Sequence, residues 1–271
     1  MTAAVHQRPV SVAELRRAWH AVQDGQFRGR AASSSGFSLE TPTTSTTWTS
    51  AAGEEVLVVL GCAGSVGATT VAVAIGSAVE GAARVVECAP LPRSGLAAAC
   101  DAELGVHSSG WVQGTRGGRL VVQRRGDLAP DPADVPLPPE TEGALVTVVD
   151  AGLVWPTLYG SGWVSGLVGS ASQLVLVGRL SVPGLRQLEG CLDLLRTDRV
   201  AVAVGGPPRS RWPRQVACTA GPLLRQAEAD GRSVCVPWDR RLALQGVTAE
   251  VLPRPVLAVG QELLGMMKGI E

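Results

Sequence analysis

The stretch Gly61-Cys62-Ala63-Gly64-Ser65-Val66-Gly67-Ala68-Thr69-Thr70 decides how this chain folds. Before it runs Val56-Leu57-Val58-Val59-Leu60, a continuous apolar segment of the kind buried on both faces of a parallel sheet. After it, residues 69–79 carry apolar side chains at helical spacing. A strand, a glycine-rich turn and a helix in that order bring main-chain N–H groups to a helix N-terminus. There an anion meets unpaired donors and the positive end of the helix dipole.

Working outward, short apolar runs at 84–88, 120–122, 145–149, 174–177, 200–204 and 234–236 read as strands, and 183–195, 213–229 and 255–267 as helices. Strands repeatedly separated by helices predict an α/β fold: a doubly wound, mostly parallel sheet flanked by helices, with right-handed crossovers. The Pro-rich stretch 128–139 reads as a loop. Upstream, Ser11 caps a short amphipathic helix carrying Val12, Leu15, Trp19 and Val22, and 29–50 has the Ser/Thr/Gly composition of a linker. The expected organisation is a flexible N-terminal extension over 1–51 and one α/β domain over 52–271.

Composition bounds the function. The 271 residues include 24 Lys+Arg against 24 Asp+Glu, a neutral balance that gives no indication of direct nucleic-acid binding. With 45% hydrophobic and 18% charged residues the chain reads as globular, and it lacks the roughly 18-residue apolar run of a transmembrane segment. Among the basic residues only Lys268 is a lysine; the rest are arginines. The six cysteines form no C-x-x-C pair, which argues against a zinc site or disulfide framework. Free cysteines and the absence of a signal-peptide pattern lead us to expect a cytoplasmic protein, one that would reach any membrane assembly through a partner.

Two phosphate-binding devices compete for the glycine turn. Gly61, Gly64 and Gly67 stand three apart and Glu87 follows Gly67 by twenty residues, which suggests the dinucleotide turn of an NAD-dependent reductase. The spacing is G-x-x-G-x-x-G, however, and the single Tyr159 is followed four residues later by Trp163 where a short-chain reductase carries lysine. The alternative is a P-loop.

Further motifs, in order, carry a resemblance to the MinD/ParA group of P-loop ATPases. Residues 62–70 fall on that family's phosphate loop, G-K-G-G-V-G-K-T-T, and Glu87-Cys88-Ala89-Pro90 falls on D-x-D-P at the end of its second strand. The run 146–150, closing in Asp150, resembles the Walker B strand; Ser181-Val182-Pro183-Gly184 resembles the start of the helix after the switch region; Val236-Pro237-Trp238-Asp239 resembles the late loop beside the nucleotide base. The similarity spans residues 54–268. It implies ATP and Mg²⁺ as cofactors, with Gly61, Gly64, Ser65, Val66, Gly67, Ala68, Thr69 and Thr70 around the phosphates. Thr69 and Asp150 would hold the metal, and Pro237 and Asp239 would border the base.

The departures are as ordered as the matches. Ala68 and Ala63 stand where the family has its two loop lysines, Ala89 where it has an acid near the attacking water, and Gly205-Gly206-Pro207 where relatives often present an Asn to the base. TadZ/CpaE-type proteins are similar in carrying alanine at the position of Ala68. The resemblance therefore implies a degenerate Walker A loop with no catalytic residue assigned: a pseudo-ATPase that binds nucleotide weakly and hydrolyses it inefficiently. It would position or regulate a larger assembly such as a pilus, secretion, conjugation or partition system, with protein partners and a homodimer in prospect. The expectation is of an anion pocket stripped of cationic side chains. A nucleotide-independent interaction scaffold is the alternative, recruiting partners through the N-terminal helix and through tryptophan-bearing loops such as those of Trp111, Trp155 and Trp163. Arg209-Ser210-Arg211-Trp212-Pro213-Arg214 reads as a solvated loop or a basic contact surface, and Val256, Val259, Leu263, Leu264 and Met267 as the inner face of a packed C-terminal helix.

Overall fold

The structure, a computed structural model, describes residues 48–128, 131–141, 143–195 and 199–268, all within the unit Ser45–Glu271. The expected N-terminal helix and most of its linker lie outside the described residues. In chain order the elements are β1 (Glu55–Gly61), α1 (Ala68–Ala78), β2 (Ala83–Glu87), β3 (Ala102–Val106), β4 (Trp111–Arg116), β5 (Leu120–Arg125) and β6 (Val146–Leu153). Then come α2 (Val154–Leu158), α3 (Trp163–Ser170), β7 (Leu174–Arg179), α4 (Val182–Leu195), β8 (Val200–Gly205), α5 (Arg214–Ala217), α6 (Pro222–Ala229), β9 (Ser233–Val236), α7 (Arg240–Gln245) and α8 (Arg254–Lys268).

The strands form one sheet in the order β3-β4-β5-β2-β6-β1-β7-β8-β9. From β5 to β9 every neighbouring pair is parallel; β3 and β4 join antiparallel at one edge. Side chains alternate across the central strand as the pleat requires. Leu57 and Val59 face a core layer with α1 and α8, while Val58 and Leu60 face the layer containing α3, α4 and α6. All four are fully buried, which accounts for the unbroken apolar run.

The C-terminal helix packs inward. Val256, Val259, Leu263 and Met267 are buried against α1. A Cβ on Gly260 would overlap the Ala74 carbonyl oxygen, so the two helix backbones touch at a point only glycine permits.

Other elements differ from the sequence reading. The β3–β4 hairpin has no counterpart among the expected elements: every residue of β3 is exposed and Gly105 interrupts it, so no apolar alternation marks the strand. Residues 213–229 form two helices, α5 and α6, parted around Gly221-Pro222, where proline starts a helix more readily than it continues one. Trp111 is fully buried in β4 and Trp163 is buried at the start of α3, its indole N–H donating to the Val135 carbonyl at 2.9 Å. These two are core anchors and offer no partner surface; the side chain of Trp155 lies outside those described. Trp212 is likewise buried, with Arg209 stacked 4.2 Å over its ring, so the basic cluster is partly folded on itself.

Candidate functional site

The chain returns from β2 to β6, then crosses β1 to reach β7, so the strand order reverses beside β1. In open α/β sheets ligands bind in the crevice outside the carboxyl ends of strands at such a reversal. The glycine turn stands there. Gly61 closes β1 in register with Val177 of β7, Cys62 N–H donates to the Val177 carbonyl at 2.9 Å, and the chain then wraps into α1. Ser65, at φ 58°, and Gly67, at φ 96°, both adopt left-handed backbone, and Gly67 is the residue before the helix. None of the N–H groups of residues 63–70 donates to another described residue; the next, from Val71, bonds to the Gly67 carbonyl. Consecutive unsatisfied donors at a helix start form a nest for an anion.

A cavity of about 700 Å³ opens over this turn, a size that suits a small-molecule ligand. The structure brings together in its wall every residue expected to border a nucleotide: Gly61, Gly64, Ser65, Val66, Gly67, Ala68, Thr69, Thr70, Pro237 and Asp239, with Asp150 beside them. Thr69 Oγ1 donates to Asp150 Oδ2 at 2.6 Å. Asp239 also caps α7, accepting from the Leu242 N–H at 2.9 Å.

Behind Asp150 lies Glu87, fully buried and in register with it across β2 and β6. Its carboxylate accepts from Ser94 Oγ at 2.5 Å and from the Gly95 N–H at 2.6 Å. Burial, with the neighbouring Asp150 charge adding to it, pushes the Glu87 carboxyl up to about 7 despite those hydrogen bonds. Burial also raises Asp150, opposed by its hydrogen bonds from Thr69 and Gly152. Glu87 faces the loop at 94–95 and is not part of the cavity wall, so it is out of place to bind a ribose hydroxyl, as a dinucleotide site would require.

Sequence reasoning missed the charged residues of the wall. Arg93, from the turn after β2, and Arg179, from the end of β7, both line the cavity, as does Trp238 of the late loop, 69% exposed between Pro237 and Asp239. The expectation of a pocket devoid of cationic side chains is thereby corrected: the loop itself lacks them, but the flanking walls do not. Spacing gives no signal for either arginine, because strand order alone brings them to the turn.

No protein-family model and no curated protein matches the chain. Among solved structures, apo McdA from Cyanothece is similar with a TM-score of 0.52 and 15% identity, over 80% of this chain and 100% of that one. An ATP complex of a Cyanothece McdA variant gives 0.51 and 15% identity, over 80% and 97%. The MinD cell division protein of Aquifex aeolicus gives 0.49 at 15% identity, over 79% and 97%. The fold is that of McdA. On this fold the chain presents alanines at 63, 68 and 89, each of which lines the cavity. Among the described residues no helix is long and apolar enough to cross a membrane, and no group of three or more His, Cys, Asp or Glu gathers as a metal cluster.

Proposed function

We propose that the protein binds a nucleoside triphosphate with Mg²⁺ in this cavity, hydrolyses it inefficiently, and uses the bound state to position or regulate a larger assembly. The observation that carries the reading is the run of unbonded N–H groups over 63–70, set beside the Thr69–Asp150 pair in a cavity of nucleotide size. These residues fit the group: main-chain donors would take phosphate oxygens, the Thr69 hydroxyl would ligate Mg²⁺, and Asp150 would hold the ion through water. Pro237 and Asp239 border the base end, with the exposed Trp238 ring between them as a stacking surface.

Binding is weakened by Ala68. A missing charge-assisted contact costs about 1.5–3 kcal/mol, or at least roughly tenfold in affinity. Hydrolysis suffers more, because phosphoryl transfer rests on positioning and charge stabilisation, and neither Ala68 nor Ala89 contributes any. A homodimer and protein partners belong to the same reading, in a pilus, secretion, conjugation or partition setting. Titration of the full chain with a fluorescent ATP analogue and Mg²⁺ tests it. Saturation with phosphate release no faster than background supports the proposal; a flat titration to millimolar concentrations removes it.

A nucleotide-independent scaffold is the second reading. It is favoured by the internal pairing of the metal-site residues, Thr69 with Asp150, and by the use of Asp239 as a helix cap. The same flat titration, with an intact fold, selects it.

A further inference from the structure

We infer that Arg93 and Arg179 take over the charge neutralisation lost with the loop lysines, gripping a triphosphate from the two walls of the cleft. The inference rests on the nucleotide reading above and names the residues that decide which anion the site accepts.

Both arginines line the same cavity as the unbonded loop N–H groups. Both side chains are exposed, and neither guanidinium is hydrogen-bonded or ion-paired to any described residue. The side chains are free, but their backbones are held. Arg179 ends β7, two residues beyond the register partner of Gly61; its carbonyl accepts from the Ser181 N–H at 2.9 Å, and a Cβ on Gly184 would overlap that oxygen. Arg93 ends the turn Leu91–Arg93, with its N–H bonded to the Pro90 carbonyl at 2.8 Å. The next two residues, Ser94 and Gly95, are tied to Glu87, and Gly95 packs on Thr69 so closely that a Cβ there would lie 3.0 Å from the Thr69 methyl carbon. Two cations are thus anchored on opposite sides of the phosphate loop, close to its base and to its metal-site threonine.

Reach rather than net charge selects the ligand class. A nucleoside triphosphate with Mg²⁺ and a monophosphate each carry about two negative charges near pH 7, but only the triphosphate has a terminal group to meet arginines on both walls. Arginine forks also suit phosphate oxygens bidentately, which a helix-start nest alone does not provide. The site therefore discriminates by phosphate number through side chains outside the loop.

The test measures MgATP, MgADP and AMP binding to the full chain by competition against a fluorescent ATP analogue. Arg93→Ala and Arg179→Ala should each weaken MgATP by about tenfold and AMP by less than about twofold. Arg211→Ala, an exposed arginine outside the cavity, should leave all three unchanged. Adding Ala68→Lys to the Arg93→Ala/Arg179→Ala double variant should restore MgATP binding to within about threefold of the parent, a rescue that a purely structural role would not produce. Equal MgATP affinity in the parent and the double variant overturns the inference while leaving the nucleotide reading intact. Failure of the parent itself to bind MgATP overturns that reading, and the inference with it.

Discussion

Strands β2 and β6 carry two polar pairs in register, three residues apart, and the two ends of the sheet treat them oppositely. At the amino end Arg84 sits beside Thr147; at the carboxyl end Glu87 sits beside Asp150. The amino-end pair is closed: Arg84 meets Glu54 at 2.8 Å, donates to Thr147 Oγ1 at 2.6 Å and to the Pro139 carbonyl at 2.8 Å, and lies 5.5 Å from the centre of the Trp48 ring. Both charged side chains are almost fully buried, at 3% and 2% exposure. The carboxyl-end pair brings together two buried acids with no cation from the described chain between them, next to an open cavity and a row of unused N–H donors. Equivalent positions on the same strands thus serve stability at one end and leave unmet electrostatic demand at the other. That unmet demand is what a binding site offers.

The largest effect should come from breaking the closed end. Arg84→Met leaves the buried Glu54 carboxylate unpaired and should cost about 3–5 kcal/mol, read as a lower urea midpoint; a loss under about 1 kcal/mol would show that the pair is no structural tie.

Relieving the open end comes next and has the opposite sign. The Glu87 carboxyl is raised from 4.5 to about 7, so the protonated form is favoured in the folded chain. Its contribution to stability is full below pH 4.5 and is lost as pH rises through about 7. Glu87→Gln should therefore flatten the fall in stability across that interval and raise stability at pH 8 by up to about 3 kcal/mol. Unfolding curves collected from pH 4 to 8 decide it, and parallel profiles for variant and parent would sink the claim.

A smaller effect is expected at the junction of acids and loop. Thr69→Val removes the donor to Asp150 and should cost about 1 kcal/mol in stability, while abolishing any tightening of ATP binding by Mg²⁺. Mg²⁺ dependence that persists in the variant would place the ion elsewhere. The smallest effect on folding belongs to Trp238→Ala, within about 0.5 kcal/mol by thermal melt because the side chain is largely exposed. If the ring stacks on the base, that variant weakens ATP binding while leaving inorganic triphosphate binding unchanged.

The same contrast separates what was legible in the sequence from what was not. The central strand, the glycine turn and α1 were legible because an unbroken Val/Leu run and a helical period frame the glycines, and local chemistry alone fixes that unit. Thr69 and Asp150 were put together only through the family resemblance, and the structure joins them by a hydrogen bond. The β3–β4 hairpin was hidden because its outer strand buries nothing, and α3 because Gly166 and Gly169 dilute its helical pattern. Arg93 and Arg179 stand 86 residues apart in the chain and meet only through sheet order, so no window of sequence holds both. The same holds for Glu54 and Arg84, whose pairing depends on which strands neighbour β1 and β2.

The most direct test of the central claim, that the carboxyl-end crevice is an anion site built from main-chain donors without a loop lysine, is a crystal structure grown with excess ATP and Mg²⁺. The account predicts phosphate oxygens against the N–H groups of residues 63–70 and a metal beside Thr69 and Asp150. A crevice holding neither under those conditions, or a nucleotide bound elsewhere on the surface, would contradict it.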